Sequence, residues 1–526
     1  MLSKVASAGL TGIDGFIVCI EADVSDGMPG VNMIGFLASE VREAGERVRT
    51  AAANSGFGRS IRKVTINLSP ANIRKEGCGY DLAIAVAFLR SNSVIDPSVS
   101  SSLVEKSVFI GELSLGGEVL PVNGILSMAM AAREAGFQNM FVPMANAAEA
   151  AAIDGICAYG IGTLKELVSI LNQDILLPPR ALYVEDPLLL ADDKDFSDIH
   201  GQELVKRAAV IAVAGRHNIL FIGPPGTGKT MLASRIPTIM PRMTKEERIR
   251  VSMVYSVCGR LPDGHLLLTG RPFRSPHHTI SPVALSGGGN VPRPGEISLA
   301  TGGVLFLDEL AEFRPAAIDA LRQPMESKKV LISRVYSSAE YPADFMLAAA
   351  TNPCKCGFYP DKERCTCTEN EVRSYLGHIS KPVLDRIDIS VETALPRYQE
   401  LNTPGTGERS EVLRTRVEQV IQTQKKRFEG FSINYNSEMN PRQISQFCKL
   451  READQNFIEA LYEKKGMSAR GLHKILKVAR TIADYEDSPS IEHEHLAEAV
   501  SYRLFDERFG KGGGRIEYSS KKAFIR

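Results

Sequence analysis

A chain of 526 residues exceeds what one hydrophobic core can organise, and its length predicts about three or four domains. Hydrophobic residues make up 44% and charged residues 24%, an ordinary globular balance, and no run approaches the 18 uninterrupted apolar residues of a membrane span. Lys+Arg and Asp+Glu stand at 62 each, which excludes a bulk positive field and leaves any nucleic acid to local basic patches.

Met1 to Gly15 has no apolar core of the secretory type, and nine cysteines in so long a chain point to reduced thiols or metal ligands. The expected compartment is therefore the cytosol. Residues 1–172 alternate β-rich runs (Gly15–Ala22, Lys63–Leu68, Ser107–Ile110) with helical runs (Tyr80–Leu89, Ser127–Ala135), the pattern of a compact α/β domain. A Pro-containing, acidic linker is expected over 173–195. A second α/β unit, 196–400, carries short apolar runs suited to strands buried on both faces: Asn218–Ile222, Val304–Leu307 and Phe345–Ala350. Helical periodicity dominates 401–510, as in Ala453–Lys464 and Gly471–Asp484. The segment 511–526 sets Lys511, Arg515, Lys521, Lys522 and Arg526 against Glu517, either a solvated tail or a DNA contact.

Gly223-Pro224-Pro225-Gly226-Thr227-Gly228-Lys229-Thr230 fits G-x-x-x-x-G-K-[ST] between an apolar strand and a helical run, Met231–Arg235. Glycines let backbone N–H groups wrap phosphates, and the helix N-terminus adds a favourable dipole. Lys229 is expected on the β- and γ-phosphates and the Thr230 hydroxyl on Mg²⁺, so ATP with Mg²⁺ is the expected ligand. Gly303-Val-Leu-Phe-Leu-Asp308-Glu309 delivers two carboxylates at a buried strand end, the Walker B arrangement. There Asp308 is the metal-holding residue and Glu309 the general base for water.

Asn352 ends another apolar strand, where a polar group can meet the γ-phosphate or the water. Arg386, in Leu384–Asp388, and Arg470, in Ser468–Gly471, are by spacing alone no more than surface arginines. Two tight pairs, Cys354/Cys356 and Cys365/Cys367, offer four thiolates for tetrahedral Zn²⁺, or else free, redox-labile thiols. His277-His278, in a Pro-rich loop without a third ligand nearby, read as packing or hydrogen-bonding groups. The other five cysteines are expected to be buried.

Gly201-Gln202-Glu203, Gly215–Asn218, Arg271–His278, Pro294–Ser298, Asn352–Gly357 and Ala479–Asp484 together resemble the ComM/YifB family of magnesium-chelatase-like AAA+ ATPases, over essentially the whole chain. The resemblance implies a Lon-protease-like N-terminal domain, an AAA+ P-loop NTPase αβα core and a C-terminal helical lid. It implies that Asn352 is sensor 1, Arg470 sensor 2 and Arg386 an arginine finger reaching a neighbour's site in a homohexamer. His378 departs from the Arg expected there. Inserts are implied between the Walker elements, over Arg271–Gly289, and as a hairpin over Val330–Pro342. The channel contacts implied are Lys328, Lys329, Arg334 and Tyr336, meeting phosphates and bases of single-stranded or branched DNA. The function implied is ATP-driven branch migration; metal insertion as a chelatase motor and protein remodelling are the rivals.

In the N-terminal domain, Gly111–Pro121 and Glu76–Asp81 resemble the stretches around the catalytic dyad of Lon. The Lys position falls on Leu126 and the Ser position on Gly79, so a non-proteolytic scaffold is implied. Cys78, beside the lost Ser, is expected to be a packed thiol.

Overall fold

The computed structural model describes residues 2–58, 62–178, 181–182, 194–261, 267–289, 292–333, 338–361, 363–395, 399, 407–465 and 467–503. Arg334, Tyr336, most of the linker expected at 173–195 and all of 511–526 lie outside them.

The N-terminal half is built on seven strands: β1 (Ser3–Thr11), β2 (Asp14–Ser25), β3 (Gly30–Ile34), β4 (Lys63–Ser69), β5 (Ser107–Phe109), β6 (Asn139–Pro143) and β7 (Cys157–Ile161). In β4, fully buried Val64, Ile66 and Leu68 alternate with more exposed neighbours, the period-two signature of a strand with one face on a core. The sheet order is β3-β4-β2-β1-β5-β6-β7. β1, β2 and β4 pair antiparallel, while β3 joins β4 and β5, β6 and β7 continue from β1 in parallel. Helix α1 (Ser39–Ala52) buries Val41, Ala44, Val48, Ala51 and Ala52, an i, i+3, i+4 stripe. It packs against α2 (Asp81–Ser91), whose every residue is buried against β1 and β2.

The second half carries an all-parallel five-stranded sheet of β8 (Ile219–Ile222), β9 (Phe273–Arg274), β10 (Val304–Leu307), β13 (Met346–Thr351) and β14 (Ile389–Glu392), in the order β9-β10-β13-β8-β14. A two-stranded hairpin, β11 (Lys329–Ser333) with β12 (Ser338–Pro342), precedes β13. Residues of β8 and β10 are buried on both faces, which explains why their sequences read as continuous apolar runs. The register sets Ile222 beside Thr351 and Leu307 beside Ala349, so the loops after β8, β10 and β13 leave the same edge together. That carboxyl edge is where open α/β sheets hold ligands.

Helix α3 (Ile125–Glu134) belongs to the N-terminal half, while α4 (Glu203–Gly215), α5 (Lys229–Ile239) and α6 (Lys245–Val257) belong to the second, where α4 and α5 pack against each other. A capping box between Thr244 and Glu247 starts α6. The longer lid helices are α7 (Ser410–Arg427), α8 (Glu452–Lys465), α9 (Ala469–Tyr485) and α10 (His493–Ser501). Ser468 caps α9, and its stripe Ile475, Val478, Ala479, Ile482 and Ala483 shares one apolar cluster with α4 and α7. Helix α3 packs on α6, where Ile249, Met253 and Leu267 join the cluster of Ile125, Leu126 and Met128. The buried Glu149 carboxylate accepts from Ser256, and Gly124 N–H donates to the Ser256 carbonyl at 3.1 Å.

A buried polar network ties lid to core. His217 Nδ1 stands 3.1 Å from Asp388 Oδ2, and its Nε2 is 2.8 Å from Thr481 Oγ1. Lys474 donates to the Ile387 carbonyl at 2.8 Å and lies 3.7 Å from Asp388 Oδ1. Burial alone would raise the Asp388 pKa, yet His217, Lys474 and Lys477 hold it well below the usual carboxylate range. A depressed folded pKa contributes stability that is present above the unfolded value and lost as pH falls through the folded one. Asp388→Asn is therefore expected to lose about 3–5 kcal/mol at neutral pH, because a buried partner is left uncompensated. Denaturant melts at pH 7 and below pH 4 check this: the gap between wild type and variant narrows in acid.

Candidate active site

Chain geometry forces the phosphate-type loop into shape before any side chain contributes. Gly223 N–H donates to the Thr351 carbonyl at 3.2 Å, and a Cβ at Gly223 would stand 2.2 Å from Thr393 Oγ1. Gly226 and Gly228 have φ of +79° and +78°, left-handed values that side chains resist. Thr227 Oγ1 donates to the Pro224 carbonyl at 3.0 Å and lies 2.8 Å from Thr393 Oγ1. Gln202 Nε2 donates to the Thr227 carbonyl at 2.9 Å, a loop-bracing contact from the Gly201–Glu203 string.

Lys229 opens α5, and its Nζ donates to the Gly223 carbonyl (2.7 Å), the Pro224 carbonyl (2.8 Å) and Asn352 Oδ1 (3.2 Å). Burial lowers its pKa, against the pull of Asp308 and Glu309. Thr230 Oγ1 donates to Asp308 Oδ2 at 2.6 Å, and Asp308 Oδ1 accepts the Glu309 amide at 2.9 Å. Sequence-predicted residues from three strand ends therefore meet in one place, Asp308 78 positions from Thr230 and Asn352 123 positions from Lys229. The set pairs a basic phosphate cradle with a hydroxyl and two carboxylates, the donor types for a hard divalent cation and a triphosphate.

Glu309 is exposed and sits at φ +52°, a strained value for a residue with a side chain. Its Oε2 lies 3.1 Å from His278 Nδ1. His278 is thus a neighbour of the expected general base, which its sequence context did not disclose. A signal was available in its place at the end of the Arg271–His278 string, just past β9, the strand flanking β10. The His277 ring lies against it, tilted by 35° with ring centroids 4.1 Å apart.

Arg386 and Arg470 stand outside this cluster. Among the described residues no hydrogen bond or ion pair joins either to Lys229, Asp308 or Asn352. Arg386 donates to the Pro382 carbonyl at 2.5 Å and pairs with Glu326, on the helix Arg322–Ser327 that leads into the hairpin. Arg470 is exposed on the first turn of α9, and His378 is exposed just past the helix Glu369–Gly377. Lys328 pairs with Glu438 of the lid and lies 3.5 Å from Asp344, which anchors it at the hairpin base. Lys329 is exposed and pairs across the hairpin with Glu340 at 2.6 Å.

Cys354, Cys356, Cys365 and Cys367 bring four Sγ atoms within 4.8 Å of one another. The separations Cys354–Cys356, Cys356–Cys365 and Cys354–Cys365 are 3.3, 3.5 and 3.8 Å. Thiolates 2.3 Å from a tetrahedral ion stand about 3.8 Å apart, so the donors fit Zn²⁺. Although burial opposes it, the Phe358 amide and the neighbouring thiols pull the Cys356 pKa down to about 6. Of the other five cysteines only Cys448 is buried; Cys19, Cys78, Cys157 and Cys258 are half-buried, correcting the expectation, because Cys19 is on the less buried face of β2, Cys78 in the loop before α2, Cys157 at the start of the edge strand β7 and Cys258 just past α6.

In the N-terminal half, Leu126 is fully buried in α3 and Gly79 faces Ile110 and Val122, so no Ser–Lys pair forms there. Lys75, three residues before Cys78, is buried with its ammonium on the Pro70 and Ile73 carbonyls, and burial pushes the Cys78 thiol up. Beside them Arg47 clamps buried Asp81 through two bonds of 2.9 Å.

Comparisons with known proteins agree with this arrangement. Residues 195–401 match the family model "Magnesium chelatase, subunit ChlI", residues 20–146 match "Subunit ChlI of Mg-chelatase", and residues 407–503 match "Magnesium chelatase, subunit ChlI C-terminal". The chain is 40% identical to the competence protein ComM of Haemophilus influenzae over 506 residues, 95% of this chain and 97% of that one. It is 39% identical to the protein YifB of Escherichia coli over 507 residues, 96% of this chain and 97% of that one. A partial similarity, 28% over 243 residues, links it to Lon protease 2 of Bacillus subtilis, covering 40% of this chain and 43% of that one. With a P-loop, a Walker B strand end and near-complete coverage by these relatives, the chain belongs to the ComM/YifB family of magnesium-chelatase-like AAA+ ATPases.

Proposed function

We propose that this ATPase is a homohexameric motor that moves DNA strands, acting in branch migration during recombination. The observation that carries the reading is a tie between the proposed arginine finger and the hairpin: Glu326, on the helix that leads into the hairpin, holds Arg386. The competence protein among its relatives, similar from end to end, supports DNA as the polymer.

In this reading Lys229 and the amides of Gly223–Thr230 bind the β- and γ-phosphates. Thr230 and Asp308 would hold Mg²⁺, which would supply neutralisation of phosphate charge. Glu309 accepts a proton from the attacking water, and Asn352 orients that water. Arg386 of one subunit stabilises charge developing on the γ-phosphoryl group in the next, and Arg470 contacts nucleotide from the lid. The four cysteines hold one structural Zn²⁺ per chain.

With zero net charge, DNA affinity rests on few local contacts and falls with salt at a slope of about −0.7 per phosphate neutralised on a single strand. Lys329→Ser with Arg334→Ser is expected to flatten that slope by about one to two such units and to reduce stimulation of hydrolysis by DNA. A synthetic three- or four-way junction with labelled arms is the discriminating substrate. Arm separation that requires ATP and fails in Glu309→Gln supports branch migration. A hexamer that hydrolyses ATP yet binds no junction from low to moderate salt overturns the DNA reading in favour of protein remodelling.

A further inference from the structure

The cysteine cluster does not hang apart from the nucleotide site; it leans on it. Thr351, the last residue of β13, accepts the Gly223 amide, and Asn352 accepts from Lys229 at 3.2 Å. Two residues on, Cys354 is fully buried in the apolar cluster under the sheet, with Cys356, Cys365 and Cys367 packed partly against the same cluster. Gly357 then turns back onto the phosphate loop. Its φ is +89°, its amide donates to the Cys354 carbonyl at 3.0 Å, and a Cβ there would stand 2.6 Å from Pro225 Cδ. Backbone at Gly357 therefore sits in van der Waals contact with the second proline of the loop that must cradle phosphate.

We infer that the four-cysteine loop is a brace for the phosphate-binding loop, and that its occupancy by a thiophilic divalent ion sets nucleotide affinity. The inference rests on the zinc reading above and goes beyond it. Residues 353–367 contain no helix or strand among their described members. Within them the backbone is fixed by a few turn bonds, such as Cys365 N–H to the Asp361 carbonyl at 2.8 Å, and by the Tyr359 amide donating to Cys354 Sγ at 3.4 Å. A loop of that length keeps one shape only if something offsets its conformational entropy, and a four-thiolate ion does so directly. With the ion gone, the loop gains freedom at both ends. Gly357 withdraws from Pro225, and Asn352 loses its fixed position against Lys229. Cys354, buried and anchored to the core, keeps the rest of the subunit folded, so the loss falls on the nucleotide pocket rather than on global stability.

The test uses the full chain. Metal content is measured by mass spectrometry as purified, after stripping with a tight chelator, and after reloading with one equivalent of Zn²⁺. A fluorescent ATP analogue is titrated into each form with Mg²⁺ restored in excess. The stripped chain is expected to bind the analogue at least tenfold more weakly and to regain affinity with Zn²⁺ but not with further Mg²⁺. Gly357→Val supplies a second arm, since it keeps all four thiols while pressing a side chain on Pro225. It is expected to retain its metal and still bind the analogue at least tenfold more weakly. Unchanged affinity after stoichiometric metal loss, or full affinity in Gly357→Val, overturns the brace. A chain that carries no metal and takes up no Zn²⁺ instead overturns the zinc reading on which the brace depends.

Discussion

Glu309→Gln is expected to leave ATP bound while lowering hydrolysis by about 10²–10⁴-fold, the usual contribution of a positioned general base. The amide keeps the size of the side chain and a hydrogen-bonding contact with His278, 3.1 Å away in the wild type, but it cannot take a proton from water. Lys229→Ala is the contrasting case. Its ammonium rests on the Gly223 and Pro224 carbonyls at 2.7 and 2.8 Å, where it organises the cradle itself, so its loss removes ground-state binding. Phosphate release and fluorescent-nucleotide titration, run side by side, separate the two. Wild-type turnover in Glu309→Gln would falsify its assignment as the base.

Arg386→Ala alone is expected to lower turnover by about 10³-fold or more, in the range of fingers supplied in trans. Mixing it with Lys229→Ala subunits is expected to restore part of the activity, because some interfaces then pair an intact cradle with an intact arginine. The reason lies in where Arg386 is held. Within its own chain it is bonded to Glu326 and the Pro382 carbonyl, away from Asp308 and Lys229, and its Nε is buried without a hydrogen-bond partner among the described residues. Coupled-enzyme assays across mixing ratios read the recovery. No recovery in rings shown to be mixed assigns Arg386 a role in cis.

Much of this site was legible because its chemistry is local. The run Ile219–Ile222, the glycines after it and the pair Asp308-Glu309 each specify their structure within ten residues, since a strand buried on both faces must be apolar and a loop around phosphate must be free of side chains. The cysteine pairs were legible for the same reason, their four donors falling within fourteen positions. What escaped was contact at long range. His278 reaches Glu309 across 31 positions, Glu326 reaches Arg386 across 60, and His217 reaches Asp388 across 171. No periodicity announces such partners, because each is set by how sheet, hairpin and lid pack. Lys328 shows the converse: a lysine at a hairpin suggests a ligand contact, yet Glu438 of the lid holds it at the base.

Helix α6 has two neighbours to satisfy. Tyr255 on one side donates to the Leu299 carbonyl at 2.7 Å, within the ATPase half, while Ile249 and Met253 are covered by the helix Ile125–Glu134 of the N-terminal half. Uncovering those two side chains and Leu267 to water would forfeit roughly 1.5–3 kcal/mol each and strand the Glu149–Ser256 hydrogen bond. The N-terminal half thus serves as a wall of the ATPase half, which cut free of it would carry an exposed apolar face.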